Sequence, residues 1–202
     1  MQEIAVFGGT FNPIHNAHLH LLRGFSERIP FDRVILVPAN VPPHKRAPHL
    51  APAGDRLAMC RLAAREAGFE VSEIELNRRG PSYTSDTLRE LSRLYPGAEL
   101  NLIMGEDMFL TVQNWHESAV ILKLARLCAA PRGEKRYAAL LEHARFLEGL
   151  GARTFLADLE FLPISSTLVR RRAAAGEPVG DLVPEPVARY IAENHLYGGP
   201  LQ

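Results

Sequence analysis

Short apolar runs alternate along this chain with longer segments that carry apolar residues at helical spacing. Apolar runs of about four to eight residues are typical of buried strands, and apolar positions three or four apart are typical of helices. The pattern predicts strands at residues 4–7, 33–37, 71–76, 99–104, 127–130 and 154–162. It predicts helices from about residue 16 to 25, at 56–67, 86–95, 107–124, 138–150 and 166–175, and a last helix from Pro184 or Pro186 to about Leu196.

Strands separated by segments of helix length need right-handed crossovers, which produce a parallel sheet with helices on both faces. We therefore predict an α/β, Rossmann-like, doubly wound fold. The 202 residues are expected to form one domain over 1–202, with a C-terminal helical portion from about residue 165. In such folds ligands bind beyond the carboxyl ends of the strands, so residues that directly follow strands are the first candidates for a site.

The first strand is followed by a glycine turn and then by a helix. Gly8 and Gly9 let the chain turn sharply, and the helix that follows points its unpaired N–H groups at the turn. His15 and His18 are three residues apart, so both lie at the positive end of that helix. This arrangement favours a bound polyphosphate, although a plain turn with solvated histidines has the same short motif.

Two later strands are also followed by polar residues. Residues 38–52 form a long proline-rich loop with Asn40, His44 and Lys45, and Gly105 and Asp107 follow the strand at 99–104. Long loops in compact domains usually bind something, but a solvated basic loop would look the same. Asp107 would accept hydrogen bonds from a nucleoside, or would simply be an acidic residue in the first turn of a helix.

Three further features admit two interpretations each. Trp115, the only tryptophan, has polar neighbours that suit a ring stacked on a flat heteroaromatic group, but it would also suit the core. Thr84 precedes a helix, where backbone donors would hold an anion or only cap the helix. Ser166, Thr167 and Arg170 would bind polyphosphate at the start of another helix, or form an ordinary capped helix with a basic face.

Composition narrows the choice of partners. Lys plus Arg equals Asp plus Glu at 23 each, so no net field favours a nucleic-acid partner or an anionic membrane. The two cysteines, Cys60 and Cys128, have no metal-site or disulfide spacing, which suits a reducing compartment. No apolar stretch approaches the ~20 residues that span a bilayer. We therefore expect a cytoplasmic protein.

The glycine turn and the late helix start together resemble a known superfamily. Residues 8–18, GGTFNPIHNAH, are similar to the signature G-G-[ST]-F-[DN]-P-x-H-x-G-H of nucleotidyltransferases, and residues 164–170, ISSTLVR, are similar to its second signature, I-S-S-T-x-x-R. Asn12 stands where Asp is commoner, and Ala17 replaces the usual Gly. Neither change removes a proposed phosphate contact.

Other segments resemble bacterial nicotinate-nucleotide adenylyltransferases in particular. They are P-x-x-x-P-P-H-K at 38–45, S-Y-T-x-D-T-L at 82–88, G-x-D at 105–107, Trp115, and the closing residues 183–184 and 196–198. Pantetheine-phosphate adenylyltransferases are less similar, because they usually carry Thr where His15 stands and lack the Pro-Pro-His-Lys and Trp elements. The family commonly has Arg-Pro-Gly after the fifth strand, where this chain has Pro131-Arg132-Gly133.

The resemblance implies transfer of the adenylyl group of ATP to nicotinate mononucleotide, with release of pyrophosphate and with Mg²⁺ bound mainly through the ATP phosphates. It implies catalytic roles for His15, His18 and Arg170, with His18 the main group stabilising the transition state. The implied ATP-binding residues are Gly8, Gly9, Thr10, Phe11, His18, Gly105, Asp107, Ser166, Thr167 and Arg170. The implied acceptor-binding residues are Asn40, His44, Lys45, Thr84, Trp115 and Arg132.

Two other classes of protein remain as alternatives. A nucleotide-sensing module would keep the pocket without turnover, although it would have little reason to keep both histidines and Arg170. A dinucleotide-dependent oxidoreductase shares the opening strand, turn and helix, but Gly8-Gly9-Thr10 is not the G-x-G-x-x-G of that class.

Overall fold

The computed structural model describes residues 1–41, 49–131, 133 and 136–198. The strands are β1 (Glu3–Gly9), β2 (Arg33–Pro38), β3 (Glu70–Val71), β4 (Glu99–Gly105), β5 (Ala125–Ala130) and β6 (Arg153–Leu156). The α-helices are α1 (Asn16–Ser26), α2 (Ala53–Ala67), α3 (Thr84–Leu94), α4 (Glu106–Phe109), α5 (Ser118–Leu124), α6 (Tyr137–Gly149), α7 (Ser166–Ala174) and α8 (Glu185–Glu193), and a 3₁₀ helix spans Val112–Asn114.

The strands form one six-stranded sheet in the order β3-β2-β1-β4-β5-β6. β4 pairs in parallel with β1 on one side and β5 on the other, and β5 pairs in parallel with β6. Parallel strands are covered on both faces, which explains why β1 and β5 are apolar runs rather than alternating ones. The predicted Rossmann-like α/β fold is confirmed.

The chain divides into two compact units. The first consists of Met1–Gly8, Leu21–Ile35 and Ser82–Phe161. The second consists of Gly9–His20, Leu36–Pro81 and Leu162–Gln202. A single domain over residues 1–202 stays a prediction.

Most predicted elements lie within a few residues of their observed bounds, but three do not. The strand expected at 71–76 ends at Val71, because the next residues turn back with Asn77 N–H bonded to the Glu73 carbonyl at 2.9 Å. The extended segment expected at 154–162 forms a strand only to Leu156.

The single helix expected at 107–124 was also wrong. It is three short pieces, namely α4, the 3₁₀ helix and α5, because three residues leave helical geometry. Thr111, which precedes the 3₁₀ helix, has φ of −126° and ψ of 0°. Trp115 is extended, with ψ of 159°, and Glu117 has a left-handed φ of 49°. Long-range contacts of Glu117, described below, override the helical pattern before α5.

A polar cluster connects the amino-terminal parts of β1, β4 and β5 within the first unit. The fully buried Asn101 donates from Nδ2 to Glu3 Oε2 at 2.7 Å and accepts at Oδ1 from Arg126 Nε at 2.6 Å. Arg126 Nη2 also pairs with Glu3 Oε2 at 2.9 Å. The amide thus satisfies both charged neighbours at once.

Among the described residues, no helix is long and apolar enough to cross a membrane. Both cysteines are buried free thiols, and burial raises the pKa of Cys60 and of Cys128 to about 12.

Replacing Asn101 by Ala should destabilise the protein, because Glu3 and Arg126 would each lose a hydrogen bond in a partly buried place. We expect a loss of about 1–3 kcal/mol in the free energy of unfolding. Urea denaturation followed by circular dichroism measures it. The exposed Asn194→Ala should change stability by no more than about 0.5 kcal/mol. Equal changes in the free energy of unfolding for the two variants would show that the hydrogen bonds of Asn101 do not stabilise the protein.

Candidate active site

The glycine turn after β1 is shaped by close packing of its own side chains. Phe11 is buried with φ of 46°, and the Asn12–Pro13 peptide bond is cis. A Cβ atom added to Gly9 would lie 2.8 Å from the Phe11 ring, so a larger residue would displace that ring. The turn therefore depends on glycine at position 9.

The two histidines of the turn form a stacked pair. The rings of His15 and His18 have centroids 3.6 Å apart and an interplanar angle of 17°. The His15 backbone N–H donates to His18 Nδ1 at 3.2 Å, so the neutral His18 ring carries its proton on Nε2. Phe11 packs edge-on against His18 at 5.3 Å between centroids, which holds the ring in place. The first turn of α1 has no acidic residue, so the helix end keeps its positive potential.

Helix α7 is attached to the same turn by two of the predicted residues. Arg170 Nη1 donates to the Asn12 carbonyl at 2.8 Å, and its Nη2 donates to Thr167 Oγ1 at 3.3 Å. Ser166 Oγ donates to the Pro13 carbonyl at 2.8 Å. The N-cap is Ser165, whose Oγ accepts from the Leu168 N–H at 3.2 Å. Histidines and arginine thus share one turn.

The buried side chain of Asn12 connects the turn to two other segments. Its Oδ1 accepts from the Ala51 N–H and from the Tyr197 hydroxyl, each at 3.0 Å, and its Nδ2 donates to the His49 carbonyl at 3.0 Å. The donor role of Nδ2 explains why an amide suits this position, since a carboxylate would face the His49 carbonyl without a proton. Burial raises the pKa of the Tyr197 hydroxyl well above its ordinary value.

Of the residues predicted to bind the acceptor phosphate, the structure describes Asn40. Asn40 directly follows the end region of β2, and its Nδ2 donates to the Arg78 carbonyl at 3.0 Å. His44, Lys45 and Arg132 lie outside the described residues.

The residues after β4 form the short helix α4. Gly105 is extended at its start, and Asp107 is exposed. Between them, Glu106 is buried, and its Oε1 pairs with Nε of the half-exposed Arg136 at 2.9 Å. The buried acid therefore joins the end of β4 to the start of α6, a contact that nothing in the sequence pattern indicates.

The half-buried Trp115 lies two residues before Glu117, which forms an ion pair with Arg89. Glu117 accepts from Arg89 in a bidentate arrangement, at 2.6 and 2.7 Å, and from Ser85 Oγ at 3.3 Å. The hydrogen bonds from Arg89 hold the pKa of Glu117 down to about 2. The neighbouring His116 ring stacks on Tyr83 with centroids 4.0 Å apart. The break in the predicted helix at Trp115 is thereby stabilised.

Thr84, the other residue predicted to face the acceptor ring, is the first residue of α3 and is partly buried. Two residues later, Asp86 is 3.4 Å from Arg89, so its charge is directed at a cation on its own helix. Asp86 is thus an acidic residue in the first turn of α3, where the helix dipole favours negative charge.

The predicted site residues fall into two groups. The second unit contains Gly9, Thr10, Phe11, His15, His18, Asn40, Ser166, Thr167 and Arg170, and the first contains Gly8, Thr84, Gly105, Asp107 and Trp115. Sequence reasoning missed Glu106, Glu117 and Arg89, whose partners are distant along the chain. Tyr197 had a weak signal, since it belongs to the closing residues 196–198 that resemble the family.

Comparison with known proteins identifies the family of this chain. The cytidylyltransferase-like family model matches residues 6–172. The chain is 41% identical over 199 residues to "Probable nicotinate-nucleotide adenylyltransferase" of Symbiobacterium thermophilum, covering 98% of this chain and 96% of that protein. It is 42% identical over 204 residues to the protein of the same name from Albidiferax ferrireducens, covering 98% of each.

A solved structure shows the same fold at lower identity. It is the Plasmodium falciparum nicotinic acid mononucleotide adenylyltransferase complexed with NaAD, with a TM-score of 0.79, 18% identity and full coverage of both chains. At this identity the likeness concerns the fold alone. From the family model and the full-length relatives, the chain belongs to the cytidylyltransferase-like nucleotidyltransferases and, within them, to the nicotinate-nucleotide adenylyltransferase family.

Proposed function

We propose that this protein transfers the adenylyl group of ATP to nicotinate mononucleotide, giving nicotinate adenine dinucleotide and pyrophosphate, a step of NAD biosynthesis. The full-length identity to relatives that carry this activity in their names supports the proposal. The observation that carries it within the chain is the stacked His15–His18 pair, which shares one turn with Arg170. Two imidazoles at one helix end, with a guanidinium bonded to the turn that precedes it, suit a polyphosphate.

The reaction needs no nucleophile from the protein. An oxygen of the acceptor phosphate attacks the α-phosphorus of ATP, and the bond between that phosphorus and the oxygen bridging to the β-phosphate breaks. Pyrophosphate leaves with the bridging oxygen and the bond's electron pair. The acceptor phosphate is already anionic at neutral pH, so the protein has to align the two groups and stabilise negative charge on the leaving group.

We assign the ATP phosphates to the glycine turn and to α7. Main-chain donors of Gly8, Gly9, Thr10 and Phe11 would line the phosphate path, and the Nε2–H of His18 would stabilise the transition state. Thr167 and Arg170 would bind the β- and γ-phosphates with Ser166 beside them, and Gly105 and Asp107 would hold adenosine. Arg170 would exchange or share its present bonds to Thr167 and Asn12 when phosphates arrive.

Mg²⁺ enters this proposal as part of the ATP substrate. The described residues contain no group of three His, Cys, Asp or Glu side chains that converge on a cation position. The groups at the turn are imidazoles, a guanidinium and hydroxyls, which suit phosphate oxygens. Mg²⁺ commonly binds through nucleotide phosphates with few protein ligands. There it would neutralise part of the negative charge of the ATP phosphates.

We assign the acceptor to a second set of residues. Asn40, His44, Lys45 and Arg132 would bind its phosphate, and Thr84 and Trp115 would face the nicotinate ring. The half-buried Trp115 has a partly accessible ring, which stacking on a flat heterocycle requires.

Pyrophosphate release tests the proposal directly. The purified protein should release pyrophosphate only when ATP, Mg²⁺ and nicotinate mononucleotide are all present. A nucleotide-sensing module would bind ATP without release, and that result would overturn the proposal.

His18→Ala should remove most turnover while the protein stays folded, because one preorganised group that stabilises developing charge is lost. Loss of such a group typically lowers kcat by ~10²–10³-fold. The matched control is His20→Ala, a histidine on the same helix to which we assign no contact with substrate. If kcat of the folded His18→Ala protein stays within a few-fold of the control, the assigned role is wrong.

Trp115→Ala should raise the KM for nicotinate mononucleotide more than the KM for ATP, because a stacking partner of the acceptor ring is lost. Trp115→Phe keeps a ring and should have a smaller effect. Since Trp115 is the only tryptophan, its fluorescence in the parent protein should change when the acceptor binds. Equal effects on the two KM values would indicate a tryptophan that only packs in the core.

The enzyme should prefer nicotinate mononucleotide to nicotinamide mononucleotide. The start of α3 offers backbone donors to a carboxylate, and the two acids near it, Asp86 and Glu117, are both paired with Arg89. Charge-assisted hydrogen bonds are about twice as strong as neutral ones, so kcat/KM should differ by ~10-fold or more. Both acceptors are compared at saturating ATP and Mg²⁺. Equal values would overturn the acid preference and leave adenylyl transfer standing.

A further inference from the structure

Arg56 is a cation in a place where cations are rarely found. It lies in the first turns of α2, and only 1% of it is exposed to solvent. Arginine is almost never fully buried unless it is paired. The position therefore calls for a specific set of partners.

Those partners are four main-chain carbonyl oxygens. Arg56 Nη1 donates to the carbonyls of Thr10 at 2.8 Å and Ala39 at 2.6 Å. Its Nη2 donates to the Asn40 carbonyl at 3.3 Å, and its Nε donates to the Ala51 carbonyl at 3.1 Å. One guanidinium thus spans three separate stretches of backbone.

Two of these stretches have assigned roles in the reaction. Thr10 belongs to the glycine turn that we assign to the ATP phosphates, and Ala39 and Asn40 belong to the segment after β2 that we assign to the acceptor phosphate. The two stretches are also joined directly, since the Ala39 N–H donates to the Gly9 carbonyl at 2.9 Å. Arg56 therefore connects the two backbone segments that we assign to the two reacting groups.

Stability alone does not account for a guanidinium in this place. Burial lowers the pKa of Arg56, which reflects the cost of keeping its charge away from water. Carbonyl oxygens offset that cost only partly, because they carry partial charges. What a planar fork of five donors adds is fixed geometry, since its hydrogen bonds set the separations between the carbonyls that accept them.

We propose that Arg56 is a positioning residue for adenylyl transfer, which holds the glycine turn and the segment after β2 at the separation that in-line attack requires. This inference rests on the proposed function. Arg56 makes no contact with substrate in this assignment and acts through the backbone of Thr10, Ala39 and Asn40.

A positioning role predicts different effects on kcat and on the KM of each substrate. Misplacement of reacting groups by about 1 Å lowers a rate by ~100-fold, whereas each substrate still meets its own half of the site. Loss of the fork should therefore lower kcat and leave the KM of each substrate nearly unchanged.

The main variant is Arg56→Lys, which keeps the positive charge but replaces the planar fork by a single ammonium group. It should remain folded, with kcat ~10–100-fold below the parent and KM for ATP and for nicotinate mononucleotide within about threefold. Arg61→Lys is the matched control, because Arg61 lies on the same helix, is exposed and pairs with Glu73. It should have the kcat of the parent. Thermal melting and circular dichroism report the folded fraction of each protein.

Chemical rescue supplies a readout that a structural role alone would not move. Arg56→Ala leaves a space of guanidinium shape, so guanidinium ion below denaturing concentrations should raise kcat of this variant. It should not raise kcat of Arg61→Ala. Arg56→Gln serves as a second neutral variant if Arg56→Ala does not fold.

Each other outcome overturns the inference. These are a kcat of folded Arg56→Lys within threefold of the parent, a loss that appears only as a raised KM, and a loss that merely follows the folded fraction. Failure of all three variants to fold would likewise assign Arg56 to stability alone. If instead the parent protein releases no pyrophosphate, the proposed function fails, so the two failures are distinguishable.

Discussion

The packing of the glycine turn within the second unit depends on the hydrogen bonds that Asn12 makes through its side chain and its carbonyl. Its carbonyl accepts from Arg170, its Oδ1 accepts from Ala51 and Tyr197, and its Nδ2 donates to His49. Because the residue is buried, each of these groups would be left unsatisfied if its partner moved. Asn12 thus connects the glycine turn to three other segments of the chain, namely residues 49–51, α7 and the segment that contains Tyr197. The positions of the stacked histidines, three and six residues further along the chain, depend on these contacts.

Much of the fold was predictable from the sequence because apolar runs and helical spacing are local signals. β1, α1 and the capped start of α7 lie where the pattern puts them, since strand, turn and cap are each set by neighbouring residues. The break at Trp115 was not predictable in this way. It depends on Glu117, whose partner Arg89 is 28 residues away along the chain.

The same distinction applies to the candidate site. The glycine turn, the histidines and Arg170 were singled out from short motifs, because adjacent main-chain donors and a helix end favour a polyphosphate. Arg56 and Glu106 were missed, because a buried charge is indistinguishable from an exposed one until the contacts of its side chain are known. The Arg56 guanidinium meets carbonyls up to 46 residues away, and Glu106 meets Arg136. The residues of the short motifs could therefore be predicted from the sequence, whereas the buried charged residues that hold the surrounding backbone could not.

The contacts of Asn12 also bear on the order in which the protein folds. Arg170 and Tyr197 are 158 and 185 residues away from Asn12 in sequence. Contacts of such long range close large loops and form late, after local helices and neighbouring strands. The glycine turn is near the start of the chain, yet it reaches its final shape only when segments far downstream have docked. The arrangement that we assign to nucleotide binding is therefore a late product of folding, although the glycine turn is among the first segments to be synthesised.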